Sequence, residues 1–269
     1  MKVIVITGSS DGIGAEMARQ LARSDGAGVA LVLAARNAAA LQQVAADCAA
    51  AGAQTLVVPT DVSQQAQCQS LVAAAVARFG RIDALINNAG RSAHALLEEV
   101  ADLSWYEELM RINLWGSVWC THAALPYLKQ SRGSIVAVSS LAGLIGVPGR
   151  TAYSATKFAM GGFFEALRAE LKPAGVSVTL AYPGVVATQI RYRGFNAAGG
   201  ALGSSSLKED KAMPVEQCAA LIVAGMKARR REVVMSVKGK LGRWFKLLAP
   251  GLVENMALAA LKDDVKPHG

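Results

Sequence analysis

Tyr153 and Lys157 stand four residues apart, and Ser140 lies thirteen residues before the tyrosine. Positions four apart share one face of a helix, so the ammonium can stand beside the phenol. A phenol titrates near ~10, too high for ready proton transfer at neutral pH, and a neighbouring cation lowers that value. Ser140 ends an apolar run, Ser134-Ile135-Val136-Ala137-Val138-Ser139-Ser140, that reads as a buried strand. A hydroxyl at a strand end can meet a tyrosine on a helix face. The three groups suit donation of a proton to a carbonyl oxygen, or its removal from an alcohol. Taken alone, the pair also fits a solvated lysine beside a half-buried tyrosine.

Those side chains need a scaffold, and the N-terminus announces one. Residues 3–7, Val-Ile-Val-Ile-Thr, form a short β-branched strand. It runs into Gly8-Ser9-Ser10-Asp11-Gly12-Ile13-Gly14 and then an amphipathic helix. Strand, glycine turn and helix make the first unit of a nucleotide-binding α/β fold. Gly8 permits a tight turn, Gly12 lets backbone approach a pyrophosphate, and Gly14 lets helix pack on strand. Strand and helix patterns alternate from there, which argues for a parallel sheet covered on both faces. Further strands are expected at 29–35, 55–59, 84–87, 134–140, 176–182 and 232–236. Helices are expected at 37–51, from a cap at Ser63 to Gly80, at 103–128 with Trp105, Trp115 and Trp119, and around Tyr153 up to Pro173. The expected fold is α/β: a single-domain doubly wound parallel sheet of about seven strands with helices on both faces. A Gly-, Ala- and Ser-rich stretch at 194–206 suggests a mobile segment within a substrate loop at about 190–213.

The glycine spacing is Thr-Gly-x-x-x-Gly-x-Gly, joined by Asn87-Asn88-Ala89-Gly90, Asn113, Ser140, Tyr153, Lys157 and Pro183-Gly184. In that order and spacing, residues 3 to about 190 resemble the short-chain dehydrogenase/reductase family, of its NADP-preferring type and Rossmann-type fold. The resemblance implies hydride transfer between a nicotinamide and a carbonyl or carbinol carbon. Tyr153 would be acid or base, Lys157 would lower its pKa and bind the nicotinamide ribose, and Ser140 would hold the substrate oxygen. Asn113 would hold a water linking Lys157 to solvent. Cofactor contacts would come from Gly8, Ser10, Gly12, Ile13 and Gly14, from Asp61 and Val62, from Asn88, Ala89 and Gly90, and from Pro183, Gly184, Val186 and Thr188. Asp61 reads equally as a cap for the helix after it. The second strand ends at Ala35 and is followed by Arg36, where a carboxylate would select NAD. A guanidinium there can pair with a 2′-phosphate, so NADP(H) is expected over NAD(H). Asp11 runs against this, because phosphate-binding relatives often carry a basic residue just before the second glycine. Leu141 and Leu144, with His94 and Tyr192, are the expected substrate pocket, and Phe195 approaches the same space. The apolar lining suggests an apolar ketone, aldehyde or alcohol.

At 269 residues with 52% hydrophobic and 18% charged residues, the chain is expected to be globular. Cys48, Cys68, Cys120 and Cys218 show no metal spacing, nor do His94, His122 and His268, and no metal site is expected. No apolar run reaches membrane-spanning length, and the first strand starts too early for a signal peptide, so a cytoplasmic protein is expected. Net charge is +8, concentrated in Lys227, Arg229, Arg230, Arg231, Lys238, Lys240, Arg243 and Lys246 against Glu232. Residues 1–237 would form the catalytic domain and 238–269 a basic amphipathic extension. In residues 238–248 the charges interleave with Leu241, Trp244, Phe245 and Leu248. That pattern fits peripheral contact with an anionic membrane, a helix packed on the domain, or an oligomer contact. Nucleic acid is not expected, since no reading module surrounds the charges. A homodimer or homotetramer is expected through the helices bearing Asn113 and Tyr153, with Gly161, Phe163 and Phe164 available for the contact. The leading function is NADPH-dependent reduction of an apolar carbonyl. The alternatives are an NAD-dependent alcohol or hydroxysteroid dehydrogenase, and an NADPH-sensing or membrane-associated binding protein without turnover.

Overall fold

The computed structural model describes residues 1–203 and 212–265. The sheet runs through β1 (Lys2–Thr7), β2 (Val29–Ala35), β3 (Gln54–Pro59), β4 (Ala84–Asn87), β5 (Ser134–Val138), β6 (Ser177–Tyr182) and β7 (Glu232–Val234). Its order is β3-β2-β1-β4-β5-β6-β7, and every pairing is parallel. The helices are α1 (Gly12–Asp25), α2 (Ala38–Ala50), α3 (Gln65–Phe79), α4 (Ser104–Met110), α5 (Gly116–Ser131), α6 (Thr151–Leu171), α7 (Val215–Lys227), α8 (Val237–Leu248) and α9 (Pro250–Val265).

Strand periodicity divides the core in two. Ile4, Ile6, Leu31 and Leu33 point toward α1, α2 and α7, while Val3, Val5, Ala30 and Val32 point toward α3, α5 and α6. Strands buried on both faces must be apolar at every position, which is why β1 and β2 lack polar alternation. The chain moves outward from β1 to β3, then returns to β4 on the other side. That reversal opens a crevice beyond the carboxyl ends of β1 and β4.

Several expected boundaries move. The fifth strand stops at Val138, because Ser140 turns the chain into a single 3-10 turn at Leu141–Gly143. The expected helix 103–128 is broken by a π-helical stretch at Arg111–Trp115 between α4 and α5. Ser63 does not cap α3: Gln64 holds that position, and Asp61 Oδ1 accepts from the Ser63 amide at 2.9 Å. Within residues 194–203, Phe195 is docked on the core. The Phe195 ring packs 5.4 Å from Trp105, its amide donates to the Ser92 carbonyl, and it is 2% exposed. One aromatic anchor outweighs the small residues around it. The remainder of the expected substrate loop, 204–211, and His268 lie outside the described residues.

Helix α8 lies against the turn after β5. A Cβ on Gly242 would stand 2.6 Å from Ile145 Cδ1, and one on Gly239 would collide with Leu141. Lys246 donates to the Leu144 carbonyl at 3.2 Å and sits 4.6 Å from the Phe158 ring centroid. The outer face of α8 and α9 stays open, with Trp244 65% and Leu248 82% exposed beside Lys240, Arg243 and Lys246. Among the described residues no helix is long and apolar enough to cross a membrane. Phe164 and Gly161 face the home sheet and are buried, so neither is available to a second copy.

Candidate active site

The site assembles at the carboxyl ends of β1, β4, β5 and β6. Thr7, the last residue of β1, ties the first two together. Its hydroxyl donates to the Ile86 carbonyl and accepts from the Asn88 and Ala89 amides at 3.0 and 3.1 Å. The Asn88 amide group donates to the carbonyls of Thr7 and Gly8, both at 3.0 Å. Gly8 sits at φ +67°, and a Cβ there would lie 2.7 Å from Ala89 Cα. No side chain fits between the two loops, so backbone lines that part of the crevice.

Ser140 leaves β5 with its hydroxyl accepting from the Ala142 amide at 3.2 Å. That bond fixes the serine on the cleft that Tyr153 on α6 also lines. Burial raises the Tyr153 phenol above its ordinary value, and the Ser140 hydrogen bond and the Arg150 charge act against that rise. Lys157, one turn on, is buried. Its ammonium lies 5.7 Å from the Tyr153 ring centroid and donates to the Val138 carbonyl at 3.0 Å and weakly to Met160 Sδ. Burial draws its pKa down to about 8. The cation acting on the phenol is Arg150, which spacing alone did not reveal.

Asn113 falls within the π-helical stretch, a local widening common at functional sites. Its side-chain oxygen accepts from the Arg91 amide at 2.8 Å, and its amide group donates to the Arg91 carbonyl and to Thr156, each at 3.0 Å. A Cβ on Gly90 would lie 3.2 Å from Asn113 Oδ1 and 3.6 Å from Lys157 Nζ, so glycine keeps the path between them open.

Ser140, Tyr153 and Lys157, with Asn113 buried behind them, line a cleft of about 120 Å³ that also takes in Ile13, Asn88, Gly90, Pro183, Gly184, Val186, Thr188 and, unforeseen, Arg150 and Arg191. Gly8, Gly12 and Gly14 form its turn, with Ser10 between them. Asp61 serves the turn into α3, and Val62 is buried beneath it against Gly116. Arg36 is exposed after β2. His94, Leu141, Leu144 and Tyr192 do not line the cleft. The His94 amide donates to the Phe195 carbonyl, Leu141 packs against Gly184 and Gly239, and the Leu144 and Tyr192 carbonyls accept from Lys246 and the Gly203 amide. Phe195 is core rather than pocket.

A backbone-lined crevice at the sheet's reversal, next to a helix N-terminus and a Ser-Tyr-Lys cluster, defines a dinucleotide-dependent oxidoreductase of the doubly wound α/β class. The family model for short chain dehydrogenase matches residues 2–197. An 11-beta-hydroxysteroid dehydrogenase A of Sesamum indicum is 38% identical over 259 residues, which cover 94% of this chain and 73% of that protein. A dehydrogenase/reductase SDR family protein 7-like of Dictyostelium discoideum is 32% identical, over 98% of this chain and 83% of that protein. The solved alcohol dehydrogenase of the archaeon Thermococcus sibiricus, complexed with 5-hydroxy-NADP, superposes with a TM-score of 0.76 at 28% identity. The match covers 87% of this chain and 96% of that one. The chain belongs to the short-chain dehydrogenase/reductase family, whose members are oxidoreductases using a nicotinamide cofactor.

Proposed function

We propose that the protein reduces the carbonyl group of an apolar small molecule with NADPH. The observation that carries this reading is the convergence of Ser140, Tyr153 and buried Lys157 on one cleft, beside the glycine loop's Ile13. The glycine loop, Asn88 to Gly90 and residues 183–188 would hold the cofactor, with Lys157 toward its ribose and Val186 and Thr188 toward its carboxamide. Bound there, the nicotinamide supplies the hydride. Ser140 donates to the substrate oxygen and orients the carbonyl. Tyr153 gives that oxygen a proton, which its raised pKa keeps in place across the neutral range. Asn113 holds the strand-four loop against α6, and we assign it the water that resupplies the proton. Arg36, exposed where a carboxylate would select NAD, supports the 2′-phosphate form of the cofactor. The bound NADP analogue of the archaeal structure is in keeping with that preference.

Replacing Tyr153 by Phe is expected to abolish turnover and leave NADPH binding intact. Retention of a tenth of wild-type rate would refute the acid-base role. Arg36→Ala should cost about 1.5–3 kcal/mol in NADPH affinity, roughly ten- to hundredfold, with NADH unaffected. Equal wild-type affinity for the two cofactors would instead support the NAD-dependent alternative. An NADPH-oxidation screen over ketosteroids, medium-chain aldehydes, β-ketoacyl thioesters and aromatic ketones names the substrate class. The hydroxysteroid name of the sesame relative puts ketosteroids first. A sensing protein without turnover would oxidise none of them.

Two partner readings accompany this one. The open face of α8 joins Trp244, Phe245, Leu247 and Leu248 to Lys240, with Lys246 held at Leu144 and Arg243 paired with Glu232 at its margin, which suits an anionic membrane surface and access to membrane-dissolved substrate. Binding to phosphatidylserine vesicles should fall with salt and with the double change Trp244→Ala, Phe245→Ala. Absence of binding at low salt would end this reading. A homo-oligomer is favoured by the shallow apolar groove at Met110, Trp115 and Trp119, where the tryptophans stack 6.0 Å apart on an exposed flank. Light scattering tests it, and a strictly monomeric mass would exclude it.

A further inference from the structure

The phosphate-binding turn carries an acid of its own. Asp11 immediately precedes Gly12 at the N-terminus of α1, where a helix end favours anions. Its carboxylate makes no capping bond to the helix. It pairs instead with Arg193 at 2.5 Å, the two side chains being 48% and 61% exposed.

Arg193 lies far away in sequence, on the segment after β6, and that segment is firmly placed. The Arg193 carbonyl accepts from Arg91 Nε at 2.9 Å. The Arg91 guanidinium lies 3.5 Å from the Phe195 ring centroid, and the Arg91 amide is held by Asn113. Five residues earlier, Thr188 Cγ2 stands 3.4 Å from where a Cβ on Gly12 would be. Residues 188–193 therefore meet the glycine turn at two successive positions, Gly12 and Asp11. The amides that cradle phosphates lie directly beside them.

We propose that Arg193 is a ligand of the dinucleotide's pyrophosphate, and that Asp11 competes with the pyrophosphate for its guanidinium. An exposed ion pair of one guanidinium and one carboxylate is weak, so the exchange is readily made. A phosphate offers the same planar fork two oxygens and a greater charge. The backbone anchor through Arg91 keeps the guanidinium within reach of either partner. The inference rests on reading the cleft as a dinucleotide site. It differs from the role of Arg36, since the pyrophosphate is common to NADPH and NADH.

The test is calorimetric titration of the full chain with NADPH and with NADH, for wild type, Arg193→Ala, Asp11→Asn, the double variant and Arg36→Ala. Matched melting temperatures without cofactor identify properly folded variants. Arg193→Ala should weaken both cofactors alike, by about tenfold, as loss of a charge-assisted bond predicts. Asp11→Asn should tighten both by about threefold, the scale of an exposed ion pair, and only while Arg193 is present. Unchanged binding by Arg193→Ala would overturn the proposal. So would a loss confined to NADPH, which would move the contact to the 2′-phosphate. Tightening by Asp11→Asn that persists without Arg193 would overturn the competition. Wild type binding neither cofactor would instead defeat the dinucleotide reading itself. Normal Arg193→Ala affinity with a selective Arg36→Ala loss would leave that reading standing alone.

Discussion

At the level of single residues, proton transfer depends on a hydroxyl at a strand end and on charges close to Tyr153 in the chain. Burial raises Tyr153, and Arg150 works against the rise. Removing that cation should raise the phenol further. In Arg150→Gln, oxidation, which needs the deprotonated phenol, should begin at higher pH, and reduction should persist further into alkali. Rate profiles in both directions measure the shift, and an unmoved limb would remove Arg150 from the electrostatics. Ser140, Tyr153 and Lys157 could be found in the sequence because two helical positions and one strand end fix their relation. Arg150, Thr7 and Arg91 could not. Thr7 reaches Ile86 and Arg91 reaches Asn113 only because the fold brings them near, while Arg150, just ahead of Tyr153, belongs to no motif that marks it. Phe195 failed in the opposite sense, since apolar character alone does not separate a pocket wall from a core anchor.

Among elements, alternation of strands and helices made the sheet legible, because each buried strand is an unbroken apolar run. The ends of elements were less so. The break at Arg111–Trp115 has no compositional mark, being a matter of one extra residue per turn. Helix α8 was visible as an amphipathic basic segment, yet its seat was not, since that depends on Gly239 and Gly242 meeting Leu141 and Ile145. Gly242→Leu should force α8 away from Ile145 at an overpacking cost of about 1–3 kcal/mol. Turnover and NADPH affinity should both hold while the melting temperature falls, as Leu141 and Ile145 lie outside the cleft. Steady-state kinetics with parallel cofactor titration and thermal melts would show it, and losses in both would mean the helix supports the whole site.

For the molecule as a whole, buried titrating groups set a limit in alkali. Burial lifts Cys48 from 9.0 to about 11, Cys218 from 9.0 to about 12 and Tyr182 from 10.0 to about 12. Folded values above unfolded ones mean stability fully present below pH 9 and lost as pH climbs toward 12. Lys157 runs the other way, its value falling from 10.5 to about 8, so its penalty fades earlier, between those two values. Three groups against one predict a net fall, read as a lower denaturant midpoint at pH 10.5 than at pH 8. Cys218→Ala should flatten the dependence, and a midpoint indifferent to pH would contradict the balance. The sheet order holds a further consequence, for the time at which function appears during synthesis. β1 is made first and ends up central, so later strands add outward on both sides. The last piece bearing on the cofactor, residues 183–193, is translated about forty-five residues before Gly239 of α8 reaches Leu141, a delay of several seconds at ordinary elongation rates. The growing polypeptide should therefore acquire its affinity for dinucleotide well before α8 takes its seat. Stalled ribosome-bound chains of graded length, passed over an immobilised dinucleotide and then probed by limited proteolysis of α8, would resolve the two as separate length thresholds.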